Sequence, residues 1–215
     1  MTVPGARGVI IPEPDADTRL LIRLAAVIAV GGEGEIRNAL QDCSTSADPV
    51  KTEEVILQSH LFCGFPRALN AARVWRRISG RVAPRDDGED VPLEVLRKRG
   101  EEVCATVYGS AYEQLRDNVR GLHPALDEWM IVEGYGRVLS RQQLDLKSRE
   151  LCIVAACAAS KQERQLHSHL HGALNAGASE QEIDGALECI VGLLDATSLG
   201  RSRSLWGKVK HVRRV

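Results

Sequence analysis

Apolar residues recur at intervals of three and four along most of this chain, and few segments alternate strictly between apolar and polar residues. The first spacing marks one face of an α-helix, whereas strict alternation marks a strand. Aromatic residues, which favour strands, make up only 4% of the sequence. The pattern therefore predicts an all-α fold of packed helices. Three stripes show it: Leu20, Leu21, Leu24, Val27 and Ile28; Val55, Ile56, Ser59, Phe62 and Cys63; and Ile183, Ala186, Leu187, Ile190 and Leu194.

The charge balance and the length of the apolar runs exclude several classes of partner. Lys and Arg number 28 against 29 Asp and Glu, so the whole chain has no strong field that would attract nucleic acid or an anionic membrane. Its apolar runs are far shorter than the roughly 20 residues that a membrane span needs. Hydrophobic residues still make up 44% of the sequence, which is typical of globular proteins. We expect neither a nucleic-acid partner nor a membrane partner.

The N-terminus and the cysteines indicate a cellular setting. Residues 1–15 contain three prolines and lack the apolar stretch of a secretory signal, so we interpret them as a flexible arm. The six cysteines mostly lie within apolar helical stretches, where a reduced thiol behaves as a small hydrophobe. Because free thiols are typical of reducing compartments, the sequence predicts a cytoplasmic protein.

Helix boundaries repeat at a distance of 131 residues. Ser179 and Glu182 form a capping box that would begin one helix, and moving back 131 residues leads to a second N-cap, Asp48. The same displacement carries Trp206 onto Trp75. We interpret this pattern as a divergent tandem duplication of a four-helix unit. It divides the chain into the arm at 1–15, a first, degenerate repeat at 16–79, a linker at 80–91, connecting helices at 92–145 and a second repeat at 146–215.

A carboxylate and an imidazole lie nineteen positions apart in the second repeat, at Glu150 and His169. Two successive helices joined by a turn near Lys161 would bring them together. Such a pair suits acid–base chemistry, because the carboxylate orients and charge-stabilises an imidazole that moves a proton near neutral pH. We therefore predict Glu150 and His169 as catalytic residues.

The residues around this pair resemble the core motif of a known family. The motif comprises Arg149-Glu150-Leu151, a helix of small residues, His169, Ala173-Leu174-Asn175-x-Gly177, and Glu182-Ile183 after a cap. In the first repeat, Gly64-x-Pro66-x-Ala68-Leu69-Asn70 is similar to another family segment. Together these features resemble the carboxymuconolactone decarboxylase and alkylhydroperoxidase D-like superfamily. The resemblance implies a helical bundle that assembles into trimers or hexamers, and it implies decarboxylation of a carboxylated lactone or thiol-based peroxide reduction.

The chain departs from the family pattern at two places. The thiol enzymes of the family carry a Cys-x-x-Cys pair just before the histidine, and Gln162 and Gln165 occupy those positions here. A disulfide-forming pair is therefore missing there, which disfavours the peroxidase interpretation. In the first repeat the 131-residue displacement places Arg19 at the position of Glu150 and Asn38 at that of His169, so only the second repeat retains the acid–base pair.

Three further residues are candidates for substrate binding: His60 on an apolar helix, and Glu133 and Tyr135 near a predicted helix end. A metal site is not expected. His167, His169 and His171 alternate along one helix, so that successive side chains diverge by about 200° and cannot ligate one ion together. We also expect no cofactor.

The function predicted from the sequence is acid–base chemistry of the decarboxylation type on a small organic acid or lactone. Two alternatives remain open: an antioxidant thiol enzyme that uses a cysteine elsewhere in the chain, and a non-catalytic helical scaffold or ligand-binding protein. We expect the chain to bind itself as well as a small-molecule substrate. A trimer is favoured over a dimer, because three duplicated chains supply the six units of the family's ring.

Overall fold

The computed structural model describes residues 14–85 and 91–214, and every regular element within those ranges is helical. The prediction of an all-α fold is therefore confirmed. Most of the predicted arm at 1–15 and residues 86–90 of the predicted linker lie outside the described residues. The helices are α1 (Ala16–Val30), α2 (Glu33–Ser46), α3 (Pro49–Ser79), α4 (Leu93–Tyr108), α5 (Tyr112–Leu122), α6 (Pro124–Trp129), a π-helical segment (Met130–Leu139), α7 (Leu146–Ala159), α8 (Glu163–Asn175), α9 (Glu180–Glu188) and α10 (Ala196–Arg214).

Helices α1 and α7 pack against each other at the centre of the molecule. All residues of α7 from Ser148 to Ala159 are buried, and most of α1 is buried as well. A helix that is apolar on every side finds a stable place only where neighbours surround it. Here α3, α8 and α9 contact α7, so that the carboxylate of Glu150 lies inside the core of the molecule.

The helix starts follow the capping residues that the sequence contains. Asp48 accepts hydrogen bonds from the backbone N–H groups of Val50 and Lys51, and Pro49 occupies the first helical position. Ser179 and Glu182 form the reciprocal capping box of α9. Both predicted caps are confirmed. Each of them satisfies backbone donors that the first turn of a helix leaves unpaired.

Glycine residues determine the course of α3 and the packing of α4 against the π-helical segment. Gly64 has a φ of 80°, which breaks α3 into two parts and redirects the part that follows it. Helix α4 and the π-helical segment meet through Gly100 and Gly136. A Cβ on Gly100 would lie 2.0 Å from the carbonyl oxygen of Ile131, and one on Gly136 would lie 2.2 Å from that of Leu96. Only hydrogen atoms fit between these two backbones.

Contacts in the two predicted repeats correspond in kind. The indole N–H of Trp75 donates to Glu53 at 3.0 Å, and that of Trp206 donates to Asp184 at 2.7 Å; both members of the second pair lie 131 residues beyond those of the first. The start of α1 is tied to α3 by Asp17 and Lys51 at 3.0 Å. The start of α7 is tied to α9 by an ion pair of reversed polarity, Lys147 and Glu182 at 2.7 Å. These parallels support the duplication, which stays a prediction. No helix in the described part of the chain has the length and apolar character of a membrane span.

Candidate active site

The structure brings Glu150 and His169 together in the core. Helices α7 and α8 are joined by three residues, in which Lys161 adopts a φ of 60°. The imidazole Nδ1 lies 2.8 Å from Oε2 of Glu150. Glu150 is 0% exposed and His169 is 5% exposed. A hydrogen bond between a carboxylate and a ring nitrogen fixes the orientation of the ring, and here it engages Nδ1 and not Nε2.

A glycine makes room for the carboxylate. A Cβ on Gly172 would lie 2.5 Å from Oε2 of Glu150 and 2.7 Å from Cγ1 of Val107, both closer than carbon atoms approach such groups. The side-chain amide of Asn175 donates to the carbonyl of Val107 at 2.9 Å and so ties the end of α4 to α8. Two residues of the α8 motif therefore position the neighbours of Glu150.

One carboxylate oxygen of Glu150 accepts no hydrogen bond from the part of the chain that the structure describes. Oε1 is buried and accepts no hydrogen bond from any residue in the ranges 14–85 and 91–214. A buried acceptor without a donor loses roughly 1–3 kcal/mol of solvation free energy, and native structures seldom retain one away from a functional site. Oε1 is therefore a buried acceptor that can still take a hydrogen bond.

Aromatic side chains surround the pair. The ring of Phe62 meets the imidazole of His169 edge-on, with centroids 5.5 Å apart. Tyr108 and Tyr135 are hydrogen-bonded to each other, with ring centroids 6.4 Å apart. Burial raises the pKa of Tyr108 to about 12 and that of Tyr135 well above its usual 10, and the negative charge of Glu150 acts in the same direction. Both phenols are therefore neutral near pH 7.

The other predicted residues occupy different surroundings. Of the three candidates for substrate binding, the buried Tyr135 lies within the electrostatic reach of Glu150. Glu133 is exposed and accepts a hydrogen bond from Arg137 at 2.7 Å, so the structure places it at the surface. His60 is half-buried; its Nδ1 lies 2.7 Å from the carbonyl of Leu57, and its ring packs on Phe65.

The histidines of α8 lie on different sides of the helix, with His169 buried and His167 exposed. The rings of His167 and His171 lie 5.0 Å apart, in agreement with their spacing of four on one helix. Among the residues that the structure describes, no group of three His, Cys, Asp or Glu side chains is arranged to hold a metal ion.

The cysteine side chains are held in their protonated form. Burial raises the pKa of each of the six thiols, to about 12 for Cys43, Cys104 and Cys157, and in the same direction for Cys63, Cys152 and Cys189. The thiolate is the nucleophilic form of cysteine, so such thiols react slowly near neutral pH. Gln162 and Gln165, at the positions where thiol enzymes of this kind carry cysteine, are exposed.

Sequence reasoning missed a buried charge network beside the site. Arg149 is 0% exposed and donates to Glu54 at 2.6 Å and to Gln58 at 3.1 Å, both on α3. Arg141 also donates to Glu54, at 3.0 Å. Burial lowers the pKa of Arg149, whereas Glu54 opposes that shift. The sequence signal that could have predicted this network is an arginine at the start of an otherwise apolar helix. A charge that is buried with such a helix requires a partner of opposite charge.

The fold and the site define a class of protein: an all-helical protein that buries a carboxylate–imidazole pair between two successive core helices. Residues 124–191, which include Tyr135, Glu150 and His169, match the family model described as "Carboxymuconolactone decarboxylase family". The segment is therefore similar to that family. Over 155 residues the chain is also 26% identical to Peroxisomal protein 2 of Schizosaccharomyces pombe (strain 972 / ATCC 24843), a stretch that covers 71% of this chain and 72% of that protein.

Proposed function

We propose that the chain is an enzyme that performs acid–base chemistry of the decarboxylation type on a small organic acid or lactone. The observation that carries this proposal is the buried contact of 2.8 Å between Glu150 and His169, next to a carboxylate oxygen with no donor of its own. A pair of this kind fixes one tautomer of the imidazole and stabilises the positive charge that forms when Nε2 takes a proton.

The proposed reaction balances without a cofactor. The bond between the carboxylate carbon and the adjacent carbon of the substrate breaks, carbon dioxide leaves, and the electron pair delocalises into a neighbouring carbonyl. The protonated imidazole of His169 then delivers a proton from Nε2 to the carbon or oxygen that holds this charge. Until the transfer, the negative charge of Glu150 stabilises the imidazolium. Tyr108 and Tyr135 are neutral, and because one phenol donates to the other, one O–H of the pair is left to donate a hydrogen bond to the developing oxyanion.

Substitution of the pair tests the proposal. With a panel of carboxylated lactones and β-keto acids, we expect the wild type to release carbon dioxide from at least one compound. His169→Gln should lower kcat/KM by about a hundredfold or more, because it removes the proton-transfer group. The matched control is His167→Gln, an exposed histidine on the same helix, which should retain wild-type turnover. Undiminished turnover by His169→Gln would remove the assignment.

Two alternatives make different predictions. A thiol peroxidase would consume hydrogen peroxide at the expense of a thiol reductant, and it would lose this activity when its cysteine is replaced by serine. The raised thiol pKa values argue against it. A non-catalytic binding protein would bind a small organic acid but turn over none, and Glu150→Gln would then change affinity alone.

The compartment and the assembly are further parts of the proposal. The six free cysteines, four of which are buried, favour the cytoplasm, whereas the relative from Schizosaccharomyces pombe bears a name that refers to the peroxisome. Fluorescent tagging at either end of the chain, with a peroxisomal marker in the same cell, distinguishes the two locations. For the assembly we propose a homotrimer.

A further inference from the structure

A basic cavity of about 340 Å³ lies in the first half of the chain, away from Glu150 and His169. Its walls come from the turn between α1 and α2, at Gly31 and Gly32, and from the part of α3 that follows the break at Gly64. Arg67, Arg73 and Arg77 line it, together with Asn70. These positions are three or four residues apart, so they share one face of the helix.

The turn between α1 and α2, which lines the cavity, is held in place by Arg67. Arg67 donates from Nε to the carbonyl of Ile28 and from Nη2 to that of Gly31, which satisfies carbonyl groups at the end of α1. Gly31 is required there, because a Cβ would lie 2.8 Å from the carbonyl oxygen of Val27. One guanidinium is thus fixed against the turn, at the wall of the cavity.

The charge of the cavity is not neutralised by the walls. Glu33 is the one carboxylate among the lining residues, and its ion pair, at 3.6 Å, is with Arg37 on the outer face of α2. Arg73 donates to the amide oxygen of Asn70 at 3.3 Å. Within residues 14–85 and 91–214, neither Arg73 nor Arg77 forms an ion pair. Three guanidinium groups therefore face a space that contains one carboxylate.

The second half of the chain provides an internal comparison. The corresponding turn, between α7 and α8, faces the start of α10 across a cavity of only about 20 Å³. Its basic side chains are paired with acids of the same half: Lys161 lies 2.9 Å from Asp195, and Arg201 lies 3.4 Å from Glu163. The cavity in the second half is small and its basic side chains are paired with acids, whereas the cavity in the first half is much larger and retains its positive charge.

We propose that this cavity is a second binding site, for a compact dianion such as a dicarboxylate or a phosphate group. Guanidinium groups bind both anions through paired hydrogen bonds, and the volume accommodates a small metabolite. The site lies apart from the acid–base pair, so its occupation does not depend on the proposed reaction.

Calorimetric titration of the full chain at fixed ionic strength tests the proposal with two probes, inorganic phosphate and succinate. We expect at least one probe to bind with a Kd in the millimolar range or tighter, and the preferred probe identifies the kind of anion. The double variant Arg73→Gln/Arg77→Gln should weaken that binding about tenfold or more, because it removes charge-assisted hydrogen bonds. Arg164→Gln, an exposed arginine on α8, is the matched control and should bind as the wild type does.

Binding of neither probe overturns the proposal, and so does equal weakening in Arg164→Gln and in the double variant. If the double variant fails to fold, a second measurement on the wild type still tests the site. Modification of arginines by p-hydroxyphenylglyoxal, mapped by mass spectrometry, should slow at Arg73 and Arg77 when the probe is present. Unchanged modification rates at both residues would also refute the site.

Discussion

At the scale of single residues, the position of the Glu150 carboxylate depends on the side chain that Gly172 lacks. The carboxylate occupies space that any other residue at position 172 would fill. The glycine of the α8 motif therefore contributes to this arrangement by leaving space, whereas His169 contributes the imidazole that contacts the carboxylate.

Gly172→Ala should destabilise the protein by about 1–3 kcal/mol, because the new methyl group overlaps Glu150 and Val107. Gly207→Ala in α10 is the control, since a Cβ there meets nothing within 4 Å. It should be neutral or stabilising by up to about 1 kcal/mol, as alanine favours a helix over glycine. Urea unfolding of both variants measures the difference. Equal stability of the two variants would show that the carboxylate does not depend on this space.

Sequence reasoning predicted the contact between Glu150 and His169, because their relation follows from local spacing. Glu150 and His169 are nineteen positions apart across one tight turn, so that the period of the helix and the length of the turn predict their contact. The partners of Arg149 could not be predicted in this way, because Glu54 lies 95 residues earlier and meets it only through tertiary packing. The position of Tyr108 near the pair could not be predicted for the same reason, because this residue lies on α4.

At the scale of elements, α5 and α6 are held together by a buried ion pair. Asp127 is 5% exposed, and its carboxylate accepts hydrogen bonds from Arg116, at 3.0 Å, and from Arg120, at 3.1 Å. The hydrogen bond from Arg116, reinforced by the charges of both arginines, lowers the pKa of Asp127 below its usual 3.8, although burial opposes the shift.

Asp127→Asn should therefore reduce stability by about 1–3 kcal/mol at pH 7. The contribution of the charged pair is complete above the unfolded-state pKa, near 3.9, and it is lost as pH falls through the lower folded-state value. The difference between wild type and variant should thus shrink below about pH 4. Asp117→Asn serves as the control, because Asp117 is 71% exposed. Denaturant unfolding across pH measures both, and a difference that is constant with pH would contradict the assignment.

The sequence predicted the caps of the helices better than their internal form. Asp48, Ser179 and Glu182 act locally, and all three cap as predicted. The π-helical segment Met130–Leu139 was not predicted, since its hydrophobic pattern fits an α-helix equally well. Its course follows from the close approach of Gly100 and Gly136, a contact between residues that are far apart in the sequence.

At the scale of the whole molecule, α3 presents apolar side chains at the surface on both sides of its break. Leu57 is 40% exposed, Phe65 is 65% exposed and Leu69 is 49% exposed. Exposed apolar residues in such proximity along one helix are typical of interaction surfaces. We expect this surface to contribute to the proposed trimer.

Phe65→Asp should shift the protein towards a lower oligomeric state, because a charge buried in an interface without a partner opposes association. The control is Val82→Asp, at a position that is 89% exposed and lies outside the helices. Light scattering coupled to size-exclusion chromatography gives the mass of each form. We expect about three chains of 23.5 kDa for the wild type and the control. A monomeric wild type would refute the trimer.

Arg149 and Glu150 are consecutive residues that contact different helices. The first anchors α7 to α3, and the second holds the imidazole of His169. A rotation of this helical turn that repositions one of them displaces the other as well. A substitution that moves the carboxylate of Glu150 therefore also loosens the contact between α7 and α3, which joins the two halves of the chain.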